Sequence, residues 1–384
     1  MDNLLQKAVD EVIDQSSLRG KLQSGKKLRI KLGVDPSAPD LHLGHYIVLR
    51  QLCQFKKAGH KIIFLIGDFT AQIGDPSGRK TERPVLTAEQ VKNNVKTYLD
   101  QVSLAIDIND IEIRYNSEWY SKMNLGEWLK ILQKFSVNYI FERDDFSKRI
   151  KEGLSLGMHE TMYPIMQAYD SVQLKADVEI GGTDQKFNIL AGRALQRKMD
   201  LEAQDVIVMK LLVGTDGKKK MSKSVGNYIG LTFSAEDMFG KVMSIPDSAM
   251  ADYAKLVLQK SITDIEKEIG SDHPNLIKRK IAREIVDIFH PGSGDAAEAS
   301  FVRVFSQRVY PDKGLCLRVP AKGRTYKDII IEDSRIKSSS ELRRRVSQGG
   351  VKINNIKVKW DDLNRNAKPN DIIRFGKIDF IAIK

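Results

Sequence analysis

The sequence predicts an α/β fold, a doubly wound parallel sheet followed by a helical segment and a small, basic α+β module, on three observations. A strand-like stretch at residues 28–34 and nearly continuous apolar runs at 61–66 and 206–209 alternate with stretches of helical periodicity, the apolar runs having the pattern of parallel strands covered on both faces. Several strand ends run into loops rich in Gly, Asp, His or Lys, the rim where open sheets bind ligands. After residue 228 the strand signal stops, and short β-rich runs return only beyond about residue 315. These changes of texture divide the chain into residues 1–232, 233–314 and 321–384.

Bulk properties bound the function. A chain of 384 residues has room for two or three domains, and 41% hydrophobic with 29% charged residues is an ordinary globular composition. No apolar run approaches the ~20 residues needed to cross a bilayer, and the charged N-terminal stretch lacks a signal peptide's apolar segment. A cytoplasmic protein with no membrane partner is expected. Cys53 and Cys316 are far apart and outside any metal-ligand spacing, so both are expected as reduced, buried thiols and no resident metal is predicted. A net charge of +12 favours a polyanionic partner without distinguishing RNA, DNA or an anionic membrane.

Taken in order, residues 1–26 read as a leading helix. Residues 28–34 form the first strand, and a helix follows over 46–58, where Ile47, Val48, Leu49, Leu52 and Phe55 recur at helical spacing. Between them lies His42-Leu43-Gly44-His45. At such a junction free amide groups and the positive end of the helix dipole point at a ligand phosphate, and Gly44 leaves room for close approach. Alone, the histidine pair equally admits a solvated or core-satisfied reading, while metal binding is disfavoured because no cysteine or His-Glu-x-x-His pattern accompanies it. The strand at 61–66 ends in Gly67 to Lys80, which offers Asp75 as a carboxylate and Arg79, with Arg83 just beyond, as cations, or is simply a solvated turn.

Residues 87–110 are expected as a helix capped by Thr87, 111–115 as a strand and 118–150 as predominantly helical. In a helix over 163–171, Tyr163, Gln167 and Asp170 fall on one face, either a polar pocket wall or a solvated stripe. A strand at 176–180 leads through Gly181-Gly182-Thr183-Asp184-Gln185 into another helix, and the strand at 206–209 leads to Lys220-Met221-Ser222-Lys223-Ser224.

The pairing of His42-Leu43-Gly44-His45 with Lys220-Met221-Ser222-Lys223-Ser224 resembles the two signatures of class I aminoacyl-tRNA synthetases. Gly33-Val34-Asp35-Pro36, Gly74-Asp75-Pro76-Ser77-Gly78, Gln167-Ala168-Tyr169-Asp170 and Gly181-Gly182-Thr183-Asp184-Gln185 are similar to the tyrosyl branch, over nearly the whole chain. The resemblance implies a Rossmann-like catalytic domain that makes tyrosyl-adenylate from tyrosine and ATP with Mg²⁺, then passes the tyrosyl group to tRNA. It makes His42, His45, Lys220 and Lys223 the catalytic groups. It adds Ser37, Gly44, Arg79, Arg83, Asp184 and Ser224 to the ATP site, and Lys31, Asp35, Asp75, Tyr163, Gln167, Asp170 and Gln185 to the tyrosine site. Lys31 is a departure, standing where many tyrosyl enzymes have a tyrosine as a second phenol contact. A homodimer through residues 118–165 is also implied. A tryptophan-specific relative and an RNA-binding paralogue without catalysis are the competing readings.

Residues 321–384 carry about twice as many Lys and Arg as Asp and Glu. The segment 338–354, with a helix over 339–347, resembles a small RNA-binding module of ribosomal-protein type, which implies that Arg343, Arg344, Arg345 and Lys352 contact RNA.

Overall fold

The computed structural model describes residues 4–5, 7–36, 40–77, 86–305, 317–321, 323–333, 336, 338–354, 356–375 and 380–384. The chain divides into two compact units, Met1–Glu298 and Ala299–Lys384.

The first unit is organised by a six-stranded sheet. Its first elements are β1 (Val9–Ile13), α1 (Gln15–Gln23), β2 (Arg29–Val34), α2 (Leu43–Lys57) and β3 (Lys61–Ile66), then α3 (Ala88–Val102) and β4 (Glu112–Tyr115). Four short helices follow, α4 (Ser117–Tyr120), α5 (Leu125–Leu132), α6 (Val137–Phe141) and α7 (Asp144–Lys151), before the long α8 (Met158–Gln173). Then come β5 (Val178–Gly182), α9 (Lys186–Lys198) and β6 (Asp205–Met209). The strand order is β1-β6-β5-β2-β3-β4, with β1 antiparallel to β6 and every other pair parallel. From β2 the chain winds outward to β3 and β4, then returns to lay β5 on the other flank of β2. The crevice beyond β2 and β5 is therefore the switch point where such sheets bind ligands.

Burial explains the strands. Ile62 to Ile66 and Val206 to Met209 are almost wholly buried, as expected for strands with helices on both faces. Helix α8 turns Ile165, Ala168 and Val172 towards Ala191 and Leu195 of α9. The end of the unit is helical: α10 (Ala235–Met243), α11 (Met250–Asp252) continuing as a π-helical turn over Tyr253–Leu258, α12 (Ile262–Ile269), α13 (Pro274–Phe289) and the start of α14 (Gly294–Phe305).

Three expectations change. Residues 1–26 are not one helix: β1 forms first, because its edge pairing with β6 satisfies backbone groups that the helical periodicity of Leu4, Leu5, Ala8, Val9 and Val12 did not reveal. The helix that starts after Thr87 stops at Val102, capped reciprocally by Thr87 and Gln90. The region 118–150 is broken into short helices with their own caps, such as Asn124 for α5 and Ser136 for α6.

One polar pair sits in the middle of this apolar sheet. Lys31 on β2 and Glu179 on β5 are register partners, and Lys31 Nζ lies 2.8 Å from Glu179 Oε1, both side chains being buried. Lys31 also donates to Ser171 Oγ at 2.8 Å, and Glu179 Oε2 accepts from Gln204 and Ser171 at 2.6 and 2.7 Å. A charge this deep survives only because every partner is supplied.

The second unit holds β7 (Leu317–Val319), α15 (Tyr326–Glu332), α16 (Ser339–Ser347), β8 (Val351–Ile353), β9 (Ile356–Lys357), β10 (Ile372–Phe375) and β11 (Phe380–Ile383). Its sheet runs β7-β11-β10-β8-β9, and Ile329, Ile330, Leu342, Val346, Ile373 and Phe375 fill the core beneath. The sequence anticipates α16 with its boundaries but not α15, a second helix capped by Thr325.

Substituting Lys31 by Met should strand the Glu179 carboxylate and cost about 3–5 kcal/mol of stability. The double variant K31M/E179M should recover most of that loss, and urea unfolding of the two variants beside the parent measures both effects.

Candidate active site

A cavity of about 640 Å³ opens at the switch point. The ends of β2, β3 and β5 and the residues that follow β6 all contribute to it, and α8 closes one side. At one end it is lined by His42, Gly44, His45, Lys220, Lys223 and Ser224, and at the other by Lys31, Asp35, Asp75, Tyr163, Gln167 and Asp170. Asp184 and Gln185 also line it. Ser37, Arg79 and Arg83 lie outside the described residues.

Backbone pairing brings the two signatures together. His42 bridges to Gly230, Leu43 N–H donates to Ile229 O at 3.1 Å, and Leu231 N–H donates to Leu41 O at 3.0 Å. The strand-like exit of the lysine loop is thus stitched to the entrance of α2. Asn227 holds the loop from inside: its Oδ1 accepts the Ser222 N–H at 2.8 Å and its Nδ2 donates to Asp216 at 3.1 Å.

The histidines cap α2. Nδ1 of His42 accepts the Gly44 N–H and Nδ1 of His45 accepts the His42 N–H, each at 3.2 Å. An Nδ1 that accepts must leave its proton on Nε2, so each ring keeps an Nε2–H to donate. Burial holds His42 well below the ordinary histidine range, aided by His45, Lys223 and Lys220. Burial, then Lys223, brings His45 down to about 4. Both rings are neutral donors at pH 7. A Cβ on Gly44 would lie 3.0 Å from His42 Cε1, so glycine keeps this cap compact.

The lysines differ. Lys220 Nζ pairs with Asp184 Oδ2 at 2.7 Å, half in solvent. Lys223 Nζ is buried without a hydrogen-bond partner among the described residues, 5.9 Å from the Tyr98 ring centre. Burial lowers it to about 8 against the opposing pull of Asp40. A buried ammonium in that state is a ready receptor for an anion.

At the other end Asp170 Oδ1 accepts from Trp119 Nε1 at 3.0 Å and Oδ2 from Asn116 Nδ2 at 3.4 Å. Burial pushes its carboxyl up to about 7, while Lys31, Asn116 and Trp119 pull the other way. Asn116 also donates to Thr70 Oγ1 at 2.9 Å, and Thr70 donates to Asp35 at 2.9 Å. The Tyr163 hydroxyl donates to the second oxygen of Asp35 at 2.9 Å. A side chain at Gly67 would collide with Asp35 and Thr70, which makes glycine a requirement of this network. Asp75 Oδ1 accepts from Ser77 N–H and Oγ, and its Oδ2 accepts from Gln185 Nε2 at 2.7 Å.

Sequence reasoning passed over Thr70, Asn116, Trp119, Glu179 and Asn227 as site partners. Of these, Glu179 left a signal, a carboxylate inside an apolar strand beside the strand that carries Lys31. The others come from loops and a short helix without periodicity to mark them. In the second unit Arg343 and Arg344 are exposed, and Lys352 is half-buried on β8. Arg345 pairs with Glu341 at 2.8 Å. The Arg343 guanidinium and Lys327 ammonium each lie 5.3 Å from the Trp360 ring centre. Among the described residues no cluster of three or more His, Cys, Asp or Glu is arranged to hold a metal ion, and no helix is long and apolar enough to cross a membrane.

The family model of class I tRNA synthetases (W and Y) matches residues 23–306, and the chain belongs to that class. The tyrosine–tRNA ligase of Dehalococcoides mccartyi is 44% identical over 384 residues, spanning 98% of this chain and 96% of its own length. That of Bordetella pertussis is 44% identical over 390 residues, with 99% and 95% covered. Within the class, the chain belongs with the bacterial tyrosine–tRNA ligases. The crystal structure of tyrosyl-tRNA synthetase complexed with L-tyrosine from Archaeoglobus fulgidus shares the fold, with a TM-score of 0.63 at 22% identity over 77% of this chain and 97% of its own.

Asp170 supplies a pH test. Its native carboxyl titrates near 7 and its unfolded one near 3.8, so ionisation penalises the fold, by little near pH 4 and fully above pH 7. The stability of Asp170→Asn relative to the parent should therefore improve between pH 5 and pH 8 by on the order of 2 kcal/mol, as read from urea unfolding at each pH.

Proposed function

We propose that this chain activates tyrosine with ATP, releasing pyrophosphate, and then esterifies the tyrosyl group to the 3′ end of its tRNA. The observation that carries this reading is that one cavity joins a phosphate-binding end to a polar, carboxylate-closed end. In the first step the tyrosine carboxylate oxygen attacks the α-phosphorus and the bond to pyrophosphate breaks, with no covalent link to the protein. Catalysis of that kind rests on positioning and on stabilising the charge of the transferring phosphoryl group.

His42 and His45 donate Nε2–H groups to phosphate oxygens beside the α2 N-terminus. Lys223 meets the pyrophosphate charge, Lys220 exchanges Asp184 for phosphate, and Asp184 turns to the ribose. Ser37, Ser224, Arg79 and Arg83 complete the ATP site. Mg²⁺ would be carried by the ATP phosphates and would offset their charge; among the described residues no cluster of His, Cys, Asp or Glu is arranged to hold it. Tyr163, Gln167 and Asp75 receive the substrate ammonium, Gln185 lies by its carboxylate, and Asp170 accepts from the phenol. Asp35 and Lys31 act from behind, through Tyr163 and Thr70 in one case and through Glu179 and Gln167 in the other. A phenol that fills the acceptor at Asp170 is favoured over a phenyl ring that leaves it unpaired, an effect for which tyrosyl enzymes are the standard example.

The three parts are a catalytic domain to residue 232, a helical tRNA-positioning domain at 233–314 and an RNA-binding domain at 321–384, where exposed Arg343 and Arg344, with Arg345 and Lys352, track the phosphate backbone. The working form is a cytoplasmic homodimer joined through residues 118–165. Leu125, Val137 and Met158, which are 72%, 68% and 69% exposed, support that surface.

Amino-acid-dependent exchange of labelled pyrophosphate into ATP tests the reading: tyrosine alone should stimulate it. Stimulation by tryptophan would reassign the pocket, and no stimulation would leave an RNA-binding protein. In the same assay Asp170→Ala should narrow the preference for tyrosine over phenylalanine on the order of 100-fold or more. Deleting residues 321–384 should leave exchange intact and depress tRNA charging. The kcat/KM for ATP should fall above about pH 8 as Lys223 loses its proton, and Lys223→Arg should move that limb to higher pH.

A further inference from the structure

Arg143 belongs to none of the signature segments. It precedes α7, in the helical stretch between β4 and α8, yet it is 5% exposed and reaches the loop after β3. Its guanidinium forms two bonds with Asp145, at 2.7 and 2.9 Å, and lies 4.6 Å from the Phe146 ring centre. Two further N–H groups point towards the cavity wall. One donates to Ser77 Oγ at 2.8 Å and the other to Asn188 Oδ1 at 3.1 Å.

These two bonds start two chains that meet at one carboxylate. Ser77 Oγ donates to Asp75 Oδ1 at 2.6 Å. Asn188 Nδ2 donates to Gln185 Oε1 at 3.0 Å, and Gln185 Nε2 donates to Asp75 Oδ2 at 2.7 Å. The five side chains form a closed circuit. Its direction is dictated at one end, because a guanidinium is donor-only and a carboxylate acceptor-only. Facing Arg143, Asn188 must present its carbonyl oxygen. It must then offer its NH₂ to Gln185, which in turn must aim its own NH₂ at Asp75. Reversing either amide would set donor against donor. With the Ser77 N–H at 2.9 Å, the contacts among the described residues leave Asp75 Oδ2 one lone pair for a substrate donor.

We propose that Arg143 is the positioning residue of the amino-acid site: through Ser77 and through Asn188 and Gln185 it fixes the plane of the Asp75 carboxylate and the orientation of the Gln185 amide. This rests on the reading that Asp75 and Gln185 face the ammonium and carboxylate of tyrosine. The circuit anchors the loop after β3 and the start of α9 to the helical stretch that holds Arg143. Its contribution falls on the amino acid and not on ATP, whose phosphate end is held separately by the pairing of residues 41–43 with 229–231.

Three variants test it in tyrosine-dependent pyrophosphate exchange. Asn188→Asp keeps an acceptor for Arg143 but loses the donor to Gln185, and Arg143→Met removes the source of polarity. Each should raise the KM for tyrosine on the order of tenfold, the loss of one charge-assisted or buried hydrogen bond, with the KM for ATP within about twofold of the parent. Arg143→Lys, still a donor-only cation, should recover part of the loss. An unchanged tyrosine KM in Asn188→Asp, or an equal rise of both KM values, overturns the proposal; should Arg143→Met fail to fold, Asn188→Asp and Arg143→Lys decide it. A parent enzyme without tyrosine-stimulated exchange would instead overturn the reading of the site on which this rests.

Discussion

The N-terminus of α2 depends on a reciprocal cap in which two histidine rings take the place of the usual hydroxyl and carboxylate. That substitution has an electronic consequence. Each ring spends Nδ1 on a backbone N–H, so each is locked as a neutral Nε2–H donor, and the burial that makes the cap also keeps the proton count fixed. A conventional Ser and Glu box would close the helix equally well but would leave a carboxylate where phosphate must come. The rest of the phosphate end is built outward from this cap, through the bridge of His42 to Gly230 and the lysine loop it tethers.

The far end of the cavity has the opposite character. Carboxylates at Asp35, Asp75, Asp170 and Glu179 are concentrated there, each answered by donors from a different element. Asp170 is the least compensated, and burial raises its carboxyl to about 7, so that it is only partly ionised near neutral pH. Lys31 lies near enough to oppose that shift, although its ammonium is already engaged by Glu179 and Ser171. The site thus holds an acceptor poised for a donor and sacrifices native stability to do so, as polar binding sites commonly do.

Much of the frame was legible because its physics is local. The apolar run at 61–66 could hardly be anything but a buried strand. Thr87 begins its helix as its hydroxyl allows, and α16 begins and ends where Ser338 and Gly349 dictate. Tyr163, Gln167 and Asp170 share a helical face by spacing alone, and the cavity lies on that face. The leading strand β1 was not legible, because its apolar spacing suits a helix and only the free edge of β6 makes an extended form preferable.

The sequence by itself determined which groups were available: two histidines beside a glycine, two lysines in a loop, and a phenol, an amide and a carboxylate on one helix. It determined, too, that strand ends would carry most of them to one rim, since side-chain period and turn chemistry are properties of a few neighbouring residues. Only the tertiary structure decided their chemical states. The low basicity of His42 and His45, the Lys223 ammonium buried without a hydrogen-bond partner among the described residues, the engagement of Lys31 by Glu179 and the direction of the amides around Asp75 depend on burial and on groups brought together from elements far apart in sequence. Desolvation and hydrogen-bond polarity are set by what surrounds a group in space, and no local pattern encodes them.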